Sequence, residues 1–157
     1  MKKIKWTELL LFVVVTELVG FLSSLVAGGD FKEHYADMSK PPLAPPGWLF
    51  PIVWAGLFAL MGIAAYLVSV SESSLRRRAL TLYFAQLFVN FLWTPVFFGL
   101  GSYIGAVAVI FVLLILVSAM TAVFYRVRPA ASYLVLPYLL WTIYAAYLTV
   151  AFAVVNA

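Results

Sequence analysis

Residues 40–54 read KPPLAPPGWLFPIVW. Pro41, Pro42, Pro45 and Pro46 fix φ and remove backbone donors, so the first half must run extended or in turns. The second half passes Gly47 and Pro51 and enters an apolar helix that carries Trp48 and Trp54. A stiff, proline-laced segment that delivers two tryptophans at a membrane boundary reads as a lid over a cavity. The rest of the chain then supplies the walls.

Outward from this stretch the chain is apolar. Of its 157 residues 66% are hydrophobic and 10% charged, against roughly 25% charged in a soluble domain. Apolar runs at about 4–27, 47–70, 79–98, 103–125 and 130–155 are each long enough to cross a bilayer. The expected fold is an all-α membrane protein: a single domain over 1–157, five transmembrane helices, and a long lid loop between the first and second. The N-terminus, with Lys2, Lys3 and Lys5 before an apolar run, imitates a signal peptide. The run exceeds the usual apolar region of about 7–15 residues and no small-residue cleavage site follows, so it is read as an uncleaved first span.

Several chemistries lack their residues. With Cys 0 there is no disulfide, thiolate-held metal or thiol nucleophile. One histidine, His34, leaves no transition-metal site of ordinary ligand count and no Ser-His pair. Asp30, Glu33 and Asp37 share one solvated loop, and no phosphate-binding Gly-Lys loop occurs. The net charge of +4 is spread in short clusters at helix ends, so no nucleic-acid partner is expected. Eight basic residues (Lys2, Lys3, Lys5, Arg76, Arg77, Arg78, Arg126, Arg128) fall on one side of the expected bundle and two (Lys32, Lys40) on the other. By the positive-inside rule the N-terminus is cytoplasmic, and the long loop and C-terminus lie outside the cell membrane.

Polar residues within the spans mark candidate function. Glu17 lies near mid-membrane, with Gly20 and Ser24 on its helix face. An acid there is costly and should face the bundle interior, as a structural hydrogen-bonding group or as a ligand or proton group. Gln86, Asn90 and Thr94 repeat every four residues, with Trp93 beside Asn90. Such a stripe either bonds helices together or lines the polar part of a cavity. On the last span Tyr138, Trp141, Ala145 and Leu148 share one face, and Pro137 should kink the helix. An aromatic, weakly polar cavity of this kind suits a flat hydrophobic ligand with one or two polar groups.

Three motifs, KPPLAPPGWLFPIVW, then QLFVNFLWTPVFFG over 86–99, then LPYLLW over 136–141, resemble the TspO/MBR family of translocator proteins, its bacterial members in particular. The length, the five spans and the long first loop match as well. The resemblance implies a homodimer in membrane lipid, with a pocket under the first loop. It implies binding of protoporphyrin IX or a related tetrapyrrole, and of synthetic isoquinoline carboxamide and benzodiazepine-type ligands. Porphyrin is then ligand or substrate, and no other cofactor is expected. Trp48, Asn90, Trp93, Trp141, Ala145 and Leu148 match the family's pocket pattern. Trp54 and Trp141 match the tryptophan pair implicated in light-dependent porphyrin oxidation. The sterol motif of animal members is not matched, because Thr149-Val150 stand where Asn-Tyr would fall and no Arg follows. Gly105 stands where those members carry a pocket Trp, a change expected to widen the site.

The function expected is tetrapyrrole binding with possible photochemical oxidation. Trp54 and Trp141 would be the redox residues. Trp48, Asn90, Trp93, Tyr138, Ala145 and Leu148 would contact the ligand, and Lys40 would pair with a ligand carboxylate. The rivals are a porphyrin transporter and a ligand-regulated sensor.

Overall fold

The computed structural model describes residues 3–29 and 31–156. Six α-helices order the chain: α1 Trp6–Val26, α2 Phe31–Asp37, α3 Leu49–Ser69, α4 Arg76–Thr94, α5 Tyr103–Val127 and α6 Pro129–Asn156. A π-helical turn, Pro95–Gly99, extends α4. α1, α3, α4 with its π turn, α5 and α6 are the five helices long and apolar enough to span a bilayer. This is a multi-pass membrane protein.

Among helices in lipid, association rests on close packing and interhelical hydrogen bonds. Both are dense in the half of the bundle that holds the α1 N-terminus. A Cβ on Gly62 would sit 2.7 Å from the Val13 Cα, so the α1 and α3 backbones touch there and only glycine fits. Tyr66 on α3 accepts the Lys5 backbone N–H at 2.9 Å. Thr16 Oγ1 donates to the Phe12 carbonyl at 2.6 Å, so the 2.6 Å contact with Tyr83 is donated by the Tyr83 hydroxyl, tying α4 to α1. Ser132 Oγ donates to Thr121 O at 2.9 Å between α6 and α5. Ala64, Ala65, Ala79 and Ala131 are fully buried, and their size lets the helices approach.

Pro95 shapes the opposite half. Pro95 has no N–H to offer the Phe91 carbonyl four residues earlier. Ser23 on α1 takes up that carbonyl, donating from Oγ at 2.7 Å. The widened turn that follows buries the consecutive rings of Phe97 and Phe98. Pro137 lies within α6, and the helix continues past it.

The connection between α1 and α3 departs from the expected continuous loop. Its first part is helical, because Phe31 and Tyr35, spaced i and i+4, give a helix face to bury. The two rings stack at 5.7 Å, and Phe31 packs edge-on to Phe98 at 4.9 Å. Only the proline-rich part after α2 runs as a strap of bends and turns. Ala44 N donates to Pro41 O in one turn, whose third residue, Leu43, has φ +65°. That backbone costs a non-glycine residue about 1–2 kcal/mol. α6 holds the strap in place. Tyr144 donates to Leu43 O at 2.5 Å and Tyr147 to Pro42 O at 2.7 Å. Asn156 pairs with both the N–H and the C=O of Ser39 at 3.0 Å. Tyr35 donates to Pro45 O, and burial pushes its phenol above the ordinary value, so it remains a donor.

Helix ends moved slightly. Arg76, Arg77 and Arg78, expected in a loop, form the first turn of α4. Cations at a helix N-terminus oppose the macrodipole, and no side chain caps this end of α4.

Candidate functional site

Under α2 and between the spans lies a cavity of about 600 Å³, within the range of small-molecule sites of roughly 300–1,000 Å³. α3 contributes Phe50, Trp54 and Phe58, one face at four-residue spacing. α4 and its π turn contribute Asn90, Trp93, Thr94 and Phe97. α6 contributes Trp141, Ala145, Leu148 and Phe152, and α5 closes the floor with Ile110 and Leu113. Glu17, Gly20 and Phe21 form the α1 wall, and Phe31, Lys32 and Glu33 the roof. Phe21, Pro51 and Ala55 line the cavity and are also exposed, so it opens between α1 and α3.

The aromatic wall is built edge to face. Trp54 and Trp141 meet at 6.4 Å and 89°, and Trp54 meets Phe58 at 5.4 Å and Tyr138 at 6.2 Å. Trp141 packs on Tyr144 at 5.2 Å. Trp93 stacks on Phe97 at 5.0 Å and 16°. Behind this wall runs a relay of hydrogen bonds. Asn90 Nδ2 donates to the Tyr138 hydroxyl, Tyr138 donates to Gln86 Oε1, and Gln86 Nε2 donates to Met61 Sδ, each at 2.8 Å. The relay fixes Asn90 at the cavity surface and leaves Gln86 structural. By contrast, the indole nitrogens of Trp93 and Trp141 are buried and have no hydrogen-bond partner among the described residues. Buried donors without partners cost free energy, and both belong to residues of the cavity wall.

Of the residues expected at the site, Trp54, Asn90, Trp93, Trp141, Ala145 and Leu148 lie together on this wall. Tyr138 is fully buried behind it. Trp48 is 63% exposed at the N-cap of α3 and lies off the wall. Six helical residues turn a side chain about 240° round from Trp54, and Phe50 takes the inward position instead. Lys40 sits over the Tyr35 ring at 5.3 Å, outside the cavity. Gly105 occupies the first turn of α5, where its N–H caps onto Ser102 Oγ at 3.3 Å, away from the cavity. Phe31 and Tyr35 are site residues that only their i, i+4 spacing could have disclosed. His34 is exposed on α2. Among the described residues no cluster of His, Asp or Glu could hold a metal ion.

The fold and cavity define a class, the polytopic helical membrane proteins with a ligand-sized aromatic chamber inside the bundle. The model of the TspO/MBR family matches residues 12–155, and the chain belongs to that family. It is 42% identical to the tryptophan-rich sensory protein of Cereibacter sphaeroides over 69% of this chain and 68% of that one. It is 37% identical to the translocator protein of Sus scrofa over 90% of this chain and 85% of that one. It is 33% identical to the tryptophan-rich protein TspO of Archaeoglobus fulgidus over 96% of this chain and 97% of that one.

Proposed function

We propose that the chamber binds a flat tetrapyrrole such as protoporphyrin IX and that Trp54 and Trp141 support its light-dependent oxidation. The observation that carries this reading is an aromatic chamber of about 600 Å³ walled by Trp54, Trp93 and Trp141, with Asn90 as a polar group on the same wall. Aromatic faces stack on a macrocycle, each contact contributing about 0.5–1.5 kcal/mol beyond area burial. Asn90 adds an amide held rigid by Tyr138.

Indole is readily oxidised. A light-excited porphyrin takes one electron from an indole, giving a porphyrin radical anion and an indole radical cation. Dioxygen accepts the electron from the anion and becomes the oxidant of the macrocycle. The hole held on the perpendicular Trp54–Trp141 pair passes back to the neutral porphyrin, which restores the indole, and the porphyrin radical cation combines with the superoxide, so both oxygen atoms enter the macrocycle. The Trp54→Phe/Trp141→Phe double variant keeps flat rings but not the redox chemistry. It should still bind protoporphyrin IX at saturation and bleach it in light no faster than protein-free detergent does. Bleaching at the wild-type rate would remove the redox role and leave a binder.

The cell membrane is the proposed location, with the N-terminus inside and α2 outside. The support is the excess of basic residues on one side of the bundle. The chain lacks cysteine, so a single Cys at position 37 or 74 reports alone. In whole cells an impermeant maleimide should label the Asp37→Cys variant and spare the Ser74→Cys variant; the reverse pattern inverts the topology.

A further inference from the structure

Glu17 stands on the α1 wall of the chamber. It lies nine residues before Val26, the end of α1, and so about 14 Å along the helix from the α2 end. Just above it, Gly20 is closed off, since a Cβ there would meet the Phe58 ring at 2.2 Å. Just beside it, Thr16 is fully buried against Tyr83. Glu17 therefore belongs to the deep part of the chamber rather than to its roof.

An acid at that depth is costly in hydrocarbon and is expected to face a partner or a cavity. Glu17 makes no hydrogen bond or ion pair among the described residues. Four hydroxyl donors of the surrounding helices are committed elsewhere. Tyr83 O–H goes to Thr16, Thr16 to Phe12 O, Ser23 to Phe91 O, and Tyr138 O–H to Gln86. Lys32, the cation on the chamber wall, lies on the roof helix, and no ion pair joins it to Glu17. The chamber thus has an acceptor without a donor on α1. The Trp93 and Trp141 indole nitrogens on α4 and α6 are buried away from the chamber space.

We infer that Glu17 is a specificity residue of the chamber, selecting flat aromatic ligands that carry a donor nitrogen, a ring N–H or a protonated amine, and setting it at the α1 end. This rests on the chamber being a ligand site, as proposed above. A ligand carboxylate is turned away from Glu17, toward the roof where Lys32 stands.

The test compares two probes of one skeleton, a naphthylalkyl ammonium and its uncharged methyl ether, titrated by tryptophan fluorescence on purified protein. The comparison is wild type against Glu17→Gln for each probe, which cancels partition into detergent. The variant should lose at least tenfold in affinity for the ammonium probe and less than threefold for the ether. Glu17→Asp, which keeps the charge on a shorter stem, should keep part of the preference and guards against a misfolded Gln variant. Equal losses for both probes, or no loss for either, overturn the role of Glu17 while leaving the chamber a binding site. If neither probe nor protoporphyrin IX binds the wild type, the chamber itself is not a ligand site and both readings fall.

Discussion

The two halves of this bundle are made from the same residue types and do opposite things with them. Near the α1 N-terminus, glycine and alanine let helices touch, and the hydroxyls of Thr16, Tyr83, Tyr138 and Ser132 all find partners. Under α2, aromatic rings meet edge-on and hold the helices apart around a chamber of about 600 Å³. There the indoles of Trp93 and Trp141 and the carboxylate of Glu17 have no partner among the described residues. The difference teaches where to look for function. Polar groups satisfied inside the protein hold it together; an unpartnered one points to function only where it lines the chamber, as Glu17 does, since Ser71 Oγ just past α3 is also buried without a partner among the described residues.

Substitutions can break or sharpen that contrast. The largest effect is expected at Gly62, where a new side chain meets backbone that cannot give way. Overpacking costs about 1–3 kcal/mol and sometimes more, and Gly62→Leu should lie at or beyond the top of that range. Size-exclusion and thermal unfolding should show little folded protein. Gly56→Ala is the matched control, since nothing lies within 4 Å of its added Cβ. That change should shift stability by no more than about 1 kcal/mol, in the favourable direction.

A smaller loss is expected from Tyr138→Phe, which removes the middle of the relay from Asn90 to Gln86. Each buried group left unsatisfied costs about 1–3 kcal/mol. Thermal unfolding should show that loss, and ligand affinity should fall with it, because Asn90 is no longer held at the wall. Unchanged affinity in a destabilised variant would confine the relay to the structural half.

The smallest effect is expected at the strap. Asn156→Ala removes both bonds to Ser39, each worth about 0.5–1.5 kcal/mol at most in exposed surroundings. Global unfolding should barely move, whereas amide exchange at Ser39 should speed up. Unaltered exchange would mean that the hydroxyls of Tyr35, Tyr144 and Tyr147 suffice to hold the strap.

Much of this was legible beforehand, for identifiable reasons. Five spans follow from apolar length alone. Trp141, Ala145 and Leu148 lie together because helical spacing puts them on one face, and a wall is one face. Tyr138 belongs to the same stripe by spacing, but it sits at the edge where helices meet and is buried in the relay. Trp48 and Trp54 read as a pair in sequence and point apart in the helix. α2 was hidden because seven residues with two apolar positions give little periodic signal. Pro95 marks a disrupted last turn in the sequence, but not its π geometry or where the freed carbonyl goes. The Phe91 carbonyl freed by Pro95 is satisfied by Ser23, a residue of another helix.

The most direct test of the account fills the chamber while leaving the scaffold alone. Ala145 lines the chamber and is 8% exposed. In Ala145→Leu the larger side chain enters the space a ligand would occupy. Quenching of tryptophan fluorescence by protoporphyrin IX should be saturable in the wild type. In the variant it should require at least tenfold more porphyrin, with the unfolding temperature unchanged or raised. Saturation at the same concentration in both proteins would show that porphyrin binds elsewhere, and would contradict the chamber as the site.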